Sequence, residues 1–157
     1  MNGAVYRPGL MTTLAALPGG RRLFSRLIGL HAPYSSTFGA QVVELEPGQC
    51  VVVLRERQRV RNHLDSVHAM ALATLGELTT GLALMNSLPD YARGILISFS
   101  IDYLKKARGR LTAECRCAIP TSNLEHEYLL TGEIRNEDSD VVAIARAHWK
   151  VGPEPAV

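Results

Sequence analysis

Glu77 is the residue whose setting most directly suggests chemistry, because it is the only charged residue between Asp65 and Asp90. It lies in a segment, 66–85, whose apolar residues recur every three or four positions, which predicts a helix buried on most of its sides. A carboxylate in such a helix loses hydration, and burial raises its pKa. Glu77 is therefore either paired with an internal cation or with backbone amides, or it is available as a base or nucleophile.

The polar residues just before and at the start of this helix are the other candidates for chemistry. Asp65 or Ser66 is predicted to cap the helix, which leaves the amides of its first turn free to face a ligand. Such amides, together with the helix dipole, can stabilise an oxyanion. Asn62 is expected either to orient water or a substrate carbonyl, or to bond its own backbone in a turn. His68 is either a structural histidine at the helix start or a site residue. It lies nine residues, or about 13.5 Å of helical rise, before Glu77, so the two side chains of one chain cannot touch.

The elements that must position these residues follow from the apolar periodicity. Helical pieces are predicted at 10–17 and 21–30, and strands at 40–45, 50–55, 94–105, 110–119, 127–135 and 141–150. This order predicts an α+β fold in which an antiparallel sheet of five or six strands wraps around one long buried helix, with short N-terminal helices. One sheet cannot cover so apolar a helix on all sides, and we therefore expect a partner subunit.

Length and charge limit the function classes. The 157 residues suit one domain, 1–157, with an N-terminal helical extension at 1–34 and a core at 38–151. The net charge of +2 indicates no strongly charged polymer as partner, so we expect no nucleic acid. Four alternating arginines form either a solvated strand face or a phosphate site, and no aromatic platform accompanies them: Arg55, Arg57, Arg59 and Arg61.

Three cysteines and the absence of targeting signals bear on location. Cys115 and Cys117 lie two apart in a predicted strand, which is neither a redox CxxC pair nor a zinc-site spacing. Together with Cys50 they are predicted to be reduced packing thiols, which suits a cytoplasmic protein without a metal site. Prolines and glycines interrupt the apolar N-terminus, so no signal peptide is expected, and 66–85 is read as a buried helix that does not enter a membrane.

Asn62, His68-Ala69-Met70 and Glu77 together resemble a motif of the hotdog-fold acyl-CoA thioesterases. In that motif an Asn is followed six residues later by His-Gly-Gly, and an acidic residue comes nine after the His. The resemblance is closest to the phenylacetic-acid-pathway type and a poorly characterised relative of it. The run from Tyr103 to Ala107 is similar to the family's Tyr-Leu-x-Pro-Ala motif, with Lys in the proline position. The likeness covers 38–151. Ala69 and Met70 replace the two glycines.

The resemblance implies a hotdog fold and hydrolysis of an acyl-CoA thioester without a metal or redox cofactor. It implies that Glu77 is the general base or nucleophile and that the Ala69 amide donates to the oxyanion, with Asn62 and His68 in the site. It also implies a homodimer or a dimer of dimers in which the acid of one subunit serves the oxyanion site of the other.

Two expectations qualify this assignment. Lys105, Lys106 and Arg108 either bind the phosphates of coenzyme A at the pocket mouth or form a solvated hairpin tip. The family's serine or threonine on the strand after the helix falls near Leu96 and is not matched. The alternative function is therefore a non-catalytic hotdog protein that binds an acyl group or acyl-CoA.

Overall fold

The computed structural model describes residues 13–14, 17–89, 91–122 and 124–153. Its helices are α1 (Gly20–His31), α2 (Pro33–Ser36) and α3 (Ala69–Met85), with a 3₁₀ turn at Gln58–Val60. Its strands are β1 (Gln41–Glu46), β2 (Gln49–Arg55), β3 (Ala92–Tyr103), β4 (Arg110–Arg116), β5 (His126–Arg135) and β6 (Val141–Pro153).

The strands form one antiparallel sheet in the order β1-β2-β4-β5-β6-β3. The predicted α+β fold, with an antiparallel sheet around a long helix and short helices before it, is confirmed. The predicted helix at 21–30 is α1, whereas most of the predicted piece at 10–17 lies outside the described residues. The β1–β2 turn requires Gly48, because its φ of +76° is in the left-handed region that glycine adopts without strain.

Helix α3 packs across the sheet and contacts all six strands. Its close approach depends on Gly76, because a Cβ added there would lie only 2.4 Å from the Cβ of Ala145 on β6. Apolar side chains on either side of this point are fully enclosed, Leu75 and Leu84 among them. In the described part of the chain, no helix combines the length and apolarity needed to cross a membrane.

Two expectations for this helix are wrong. It begins at Ala69 and is capped by His68, and neither Asp65 nor Ser66 is the N-cap. It is also not buried on most sides at its N-terminal end, where Ala69 and Met70 are exposed. The reason is geometric: residues 61–68 form a turn closed by the Arg61–Val67 bridge, so the helix begins only after it, and one sheet covers the helix mainly over its C-terminal part.

The two edges of the sheet differ. The β1 edge is covered by α1, whose Ser25 Oγ accepts a hydrogen bond from the Val42 amide at 3.0 Å. Strand β3 is hydrogen-bonded only to β6, so its other side presents unpaired backbone groups. Apolar side chains accompany this open edge, with Ile95 and Ile97 50% and 46% exposed. An open edge of this length and apolarity is a surface on which another strand can pair.

The cysteines are free thiols within the packed sheet, as predicted. Cys50 on β2 lies directly opposite Cys115 on β4, and both are buried. Burial raises the pKa of Cys50 and raises that of Cys115 to about 12, so both thiols stay protonated and unreactive at neutral pH.

Candidate active site

The start of α3 is held by two neighbouring segments. The His68 amide donates to the carbonyl of Val60 at 2.7 Å, and the Val67 amide donates to the carbonyl of Ala107 at 2.8 Å. Asp65, with a φ of +52°, turns the chain just before these bonds. The first turn of the helix is therefore fixed between the 3₁₀ turn and the segment that follows β3.

His68 caps the helix with its ring. Its Nδ1 accepts a hydrogen bond from the Met70 amide at 3.0 Å, which requires that nitrogen to be unprotonated. The structural interpretation of His68 as a helix-start residue therefore holds, while the imidazole remains exposed at the entrance of the site. Histidine is an uncommon N-cap residue, since Ser, Thr, Asp and Asn are preferred at this position.

The Ala69 amide has no acceptor among the described residues. The carbonyl of the same peptide group, that of His68, accepts from the Ala71 amide at 2.9 Å and the Leu72 amide at 3.1 Å. Hydrogen bonds in series polarise one another, so these two bonds make the Ala69 N–H a stronger donor. It lies at the positive end of the helix dipole, where developing negative charge is stabilised.

Tyr103 fixes the next peptide group. Its hydroxyl donates to the Ala69 carbonyl at 3.0 Å, which joins the end of β3 to the first turn of α3. Burial raises the pKa of Tyr103, so the hydroxyl keeps its proton and remains a donor. The sequence marked this residue as part of a motif without giving it a role. Ser98 and Ser100 of the same strand are exposed and do not replace the unmatched hydroxyl at Leu96.

Asn62 shapes the loop before the helix. Its Oδ1 accepts from the Leu64 amide at 2.9 Å, and from the amide and hydroxyl of Ser66, both at 3.2 Å. The turn interpretation of Asn62 is therefore the one its contacts support. Within the described chain its Nδ2 has no partner, so that group alone could still reach a bound molecule.

Glu77 lies two turns into the helix, and the structure gives its carboxylate no hydrogen bond or ion pair within the described chain. It is half-buried, and burial raises its pKa. Gly81, one turn on, allows the Trp149 ring against the helix: a Cβ there would be 3.1 Å from the ring and 3.8 Å from Glu77 Oε1. The large indole thus excludes water from one side of the helix near the carboxylate. An internal cation paired with Glu77, the structural alternative, is not found among the described residues.

One face of α3 joins Glu77 to a cavity at the helix start. Met70, Thr74 and Glu77 follow helical spacing along this face, and Met70 is 60% exposed. The cavity has a volume of about 450 Å³. It is lined by Tyr34, Thr37, Phe38, Arg59, Val60, Arg61, His68, Met70, Ala71 and Thr74. Sequence reasoning did not identify Tyr34 or Phe38, because no motif ties the N-terminal segment to α3.

The predicted coenzyme-binding cations lie elsewhere. Lys105 pairs with Asp140 at 2.8 Å, which lowers the pKa of that carboxyl, and Arg108 Nε donates to the Asp65 carbonyl at 2.8 Å. Lys106 is exposed. None of the three lines the cavity at the helix start, where the cations are Arg59 and Arg61. In the described ranges, no group of three or more His, Cys, Asp or Glu could hold a metal ion.

Solved structures share this architecture. A structural-genomics protein, APC5556, is 28% identical with a TM-score of 0.80, over 92% of this chain and 97% of that chain. PA5026 from Pseudomonas aeruginosa, described as a protein of unknown function and probable thioesterase, is 24% identical with a TM-score of 0.76, over 95% and 99% of the two chains. The thioesterase SAV0944 from Staphylococcus aureus, solved as a mutant, is 18% identical with a TM-score of 0.68, over 77% and 99%.

Family comparison agrees with the fold. A search of curated proteins returned no match. The model of the family described as "Domain of unknown function (DUF4442)" matches residues 20–151, which include α1, α3 and nearly the whole sheet. The resemblance to the hotdog-fold thioesterases noted in the sequence is thus confirmed for the fold. The chain belongs to the DUF4442 family and has the hotdog fold that these solved structures share.

Proposed function

We propose that the protein is a thioesterase that hydrolyses an acyl-CoA thioester. The observation that carries this proposal is Glu77, a half-buried carboxylate with a raised pKa and no partner in the described chain. Buried carboxylates that serve structure are paired or hydrogen-bonded, whereas one kept without a partner is suited to proton transfer or attack. The labels of the structural neighbours, thioesterase and probable thioesterase, support the same reaction class.

The oxyanion is assigned to the N-terminus of α3. In thioester hydrolysis the carbonyl oxygen gains negative charge as the nucleophile adds to the carbonyl carbon. The Ala69 N–H is available to donate to that oxygen, because no described residue accepts from it, whereas the Met70 N–H is taken by His68 Nδ1. A donor of this kind lowers the barrier by about 2.7–4 kcal/mol.

Glu77 then supplies the base or the nucleophile. As a base it takes a proton from water while the water oxygen attacks the carbonyl carbon; the carbon–sulfur bond breaks, and the proton passes to the departing thiolate. As a nucleophile its carboxylate attacks the carbonyl carbon, the thiolate leaves, and water hydrolyses the resulting anhydride. Both routes give the free acid and coenzyme A, and both need Glu77 ionised.

These roles require two subunits. Ala69 and Glu77 are eight residues apart on α3, a rise of about 12 Å, which is too far to serve one carbonyl. We assign the working site to the Ala69 amide of one protomer and Glu77 of its partner in a homodimer. The open edge of β3 and the uncovered face of α3 are the surfaces such a dimer would bury.

The cavity at the helix start is the assigned substrate entrance. Tyr34 and Phe38 give it an apolar wall, and Arg59 gives it an exposed cation suited to a phosphate of coenzyme A. Arg61 is already paired with Glu56 at 2.7 Å. The role predicted for Lys105, Lys106 and Arg108 in binding the coenzyme stays a prediction.

The test is hydrolysis of a panel of acyl-CoAs, with a thiol reagent reporting released coenzyme A. Thiol release that Glu77→Gln abolishes supports the proposal. Saturable acyl-CoA binding without thiol release from the unmodified protein would instead identify a non-catalytic acyl-CoA-binding protein.

A further inference from the structure

A second cavity lies on the other side of the α2 segment from the substrate entrance. Its volume is about 540 Å³. The segment from Tyr34 to Ala40 separates the two cavities. Tyr34, Thr37 and Phe38 line the substrate entrance. The second cavity is lined by the residues between and after them: Ser35, Ser36, Gly39 and Ala40. It is therefore a separate compartment from the cavity at the start of α3.

Four arginines line this second cavity, which we call the arginine cavity, and no Asp or Glu does in the part of the chain described. They come from two elements, α1 and the end of β2 with the residues after it: Arg22, Arg26, Arg55 and Arg57. Other arginines of this protein have acidic partners, as in Arg61–Glu56, Arg116–Glu114 and Arg135–Glu133. None of the four cavity arginines has an ion pair within the described residues, so their guanidinium groups are available to an anion that enters the cavity.

The arrangement is fixed in place at one point. Arg57 Nη2 donates to the Phe38 carbonyl at 2.6 Å, and the guanidinium occupies the space beside Gly39 where a Cβ would lie only 1.5 Å from Nη2. Gly39 also has a φ of +69°, so two independent constraints require glycine there. An arginine held in this way loses little freedom when it binds an anion, which favours binding.

An apolar floor completes the cavity, since Ile28, Val42 and Leu78 contribute buried aliphatic surface. Ser25, Ser35 and Ser36 also line it, and the hydroxyls of Ser25 and Ser36 donate to the Arg21 and Pro33 carbonyls. Leu78 belongs to α3, so the cavity extends from the exposed arginines at its mouth to the central helix. The lining therefore changes from cationic to apolar with depth.

We propose that the arginine cavity binds a phosphate monoester that carries an apolar group, with the phosphate among the arginines and the apolar group on Ile28, Val42 and Leu78. A phosphate monoester carries up to two negative charges at neutral pH and offers three acceptor oxygens, which suits several guanidinium groups better than a single-charged carboxylate does. The same chemistry could come from an alkyl or lipid phosphate or from a nucleotide. This binding is independent of thioester hydrolysis.

The experiment is titration calorimetry of the full-length protein with octyl phosphate, inorganic phosphate, adenosine 3′,5′-bisphosphate and octanoate. The variants are Arg22→Ala and Arg26→Ala, which place a strong helix former at exposed positions and should fold normally. Arg21→Ala is the matched control, since it removes an exposed arginine from the same helix that does not line the cavity.

We expect saturable binding of octyl phosphate that weakens about tenfold in either cavity variant, less than twofold in Arg21→Ala, and further as salt is raised. Tighter binding of octyl phosphate than of inorganic phosphate supports an alkyl or lipid source. Tightest binding of the bisphosphate supports a nucleotide source. The proposal is overturned if no phosphate probe saturates at millimolar concentration, if octanoate binds as tightly as octyl phosphate, or if Arg21→Ala weakens binding as much as the cavity variants do.

Discussion

Replacing Glu77 by glutamine isolates the ionisable group on which the proposed reaction depends. Glutamine keeps the size and hydrogen-bonding capacity of the side chain, so the packing near Gly81 and Trp149 is preserved. A positioned base contributes about 10²–10⁴-fold to a rate, and we therefore expect kcat to fall by about 10²-fold or more. Because Glu77 is assigned to the chemical step and not to holding the coenzyme, KM should change much less.

The same substitution should not weaken folding. Burial raises the pKa of Glu77 above its ordinary 4.5, so the folded protein binds the proton more tightly than the unfolded chain does. Below 4.5 both states are protonated and no cost arises; as the pH rises through the folded pKa, the ionised carboxylate opposes folding. Glu77→Gln should thus be as stable as the parent protein in acid and somewhat more stable at neutral pH.

The acid limb of the pH–rate profile gives a second reading of the same group. Activity needs ionised Glu77, so kcat/KM should rise with pH through a midpoint above 4.5. The assays are coenzyme A release across the pH range and denaturant unfolding at acid and neutral pH. The control is Glu137→Gln, which removes an exposed carboxylate in the β5–β6 turn. It should change neither the pH–rate profile nor the denaturant unfolding.

Full turnover in a well-folded Glu77→Gln variant would refute the mechanism. A sharp loss of stability at neutral pH would instead show that Glu77 neutralises an internal cation, which must then come from a partner subunit or from residues outside the described ranges. The two outcomes are distinguishable, because the first concerns the rate alone and the second concerns unfolding.

Three further predictions concern assembly, positioning and the thiols. Light scattering at micromolar concentration should give a dimer or larger assembly, and Ile95→Lys on the open edge of β3 should reduce both assembly and turnover; a fully active monomer would contradict the two-subunit site. Tyr103→Phe should lower kcat by about tenfold with little change in KM, because it frees the peptide group next to the Ala69 amide; a change in KM alone would argue against this positioning role. Chelators and reductants should leave activity and Tm unchanged, since Cys50 and Cys115 are buried thiols, and a marked loss with either reagent would require a metal or redox role.

The sheet and central helix were predictable because their patterns are local. Alternating or continuous apolar runs bounded by turn residues indicated all six strands within a few residues of their ends. The residue at which α3 begins could not be predicted, because Asp65 and Ser66 are ordinary capping residues and nothing in the local sequence favours His68 over them. Contacts with other segments decide where the helix starts: the Val60 and Ala107 carbonyls accept the His68 and Val67 amides, and His68 is held in an extended conformation just outside the helix.

The site was predictable only where a motif spans it. Glu77 and the Ala69 amide came from the sequence, while the roles of Asn62 and His68 were left open and their contacts favour structural ones. The residues lining the cavity at the helix start could not be predicted from the sequence, since Tyr34, Phe38 and Arg59 come together with α3 only in the folded chain. The contacts of the arginines from 55 to 61 could not be predicted either, because they alternate uniformly in the sequence. In the structure Arg57 donates to the Phe38 carbonyl, Arg61 pairs with Glu56, and Arg55 lines the arginine cavity.

The replacement of the family's paired glycines by Ala69 and Met70 changes the lining of the cavity and leaves the proposed oxyanion donor, the Ala69 amide, without an acceptor in the described chain. Ala69 and Met70 begin a regular helix with negative φ, so no glycine is needed for the backbone to turn there. The Ala69 N–H has no acceptor among the described residues, whereas the Met70 N–H donates to His68 Nδ1. The Met70 side chain lines the entrance, where two glycines would leave open space. We therefore expect Met70 to limit which acyl groups can approach the helix start. Met70→Gly should broaden the range of substrates hydrolysed more than it changes the rate for the best one; an unchanged acyl-CoA preference in that variant would show that Met70 does not set the pocket's size.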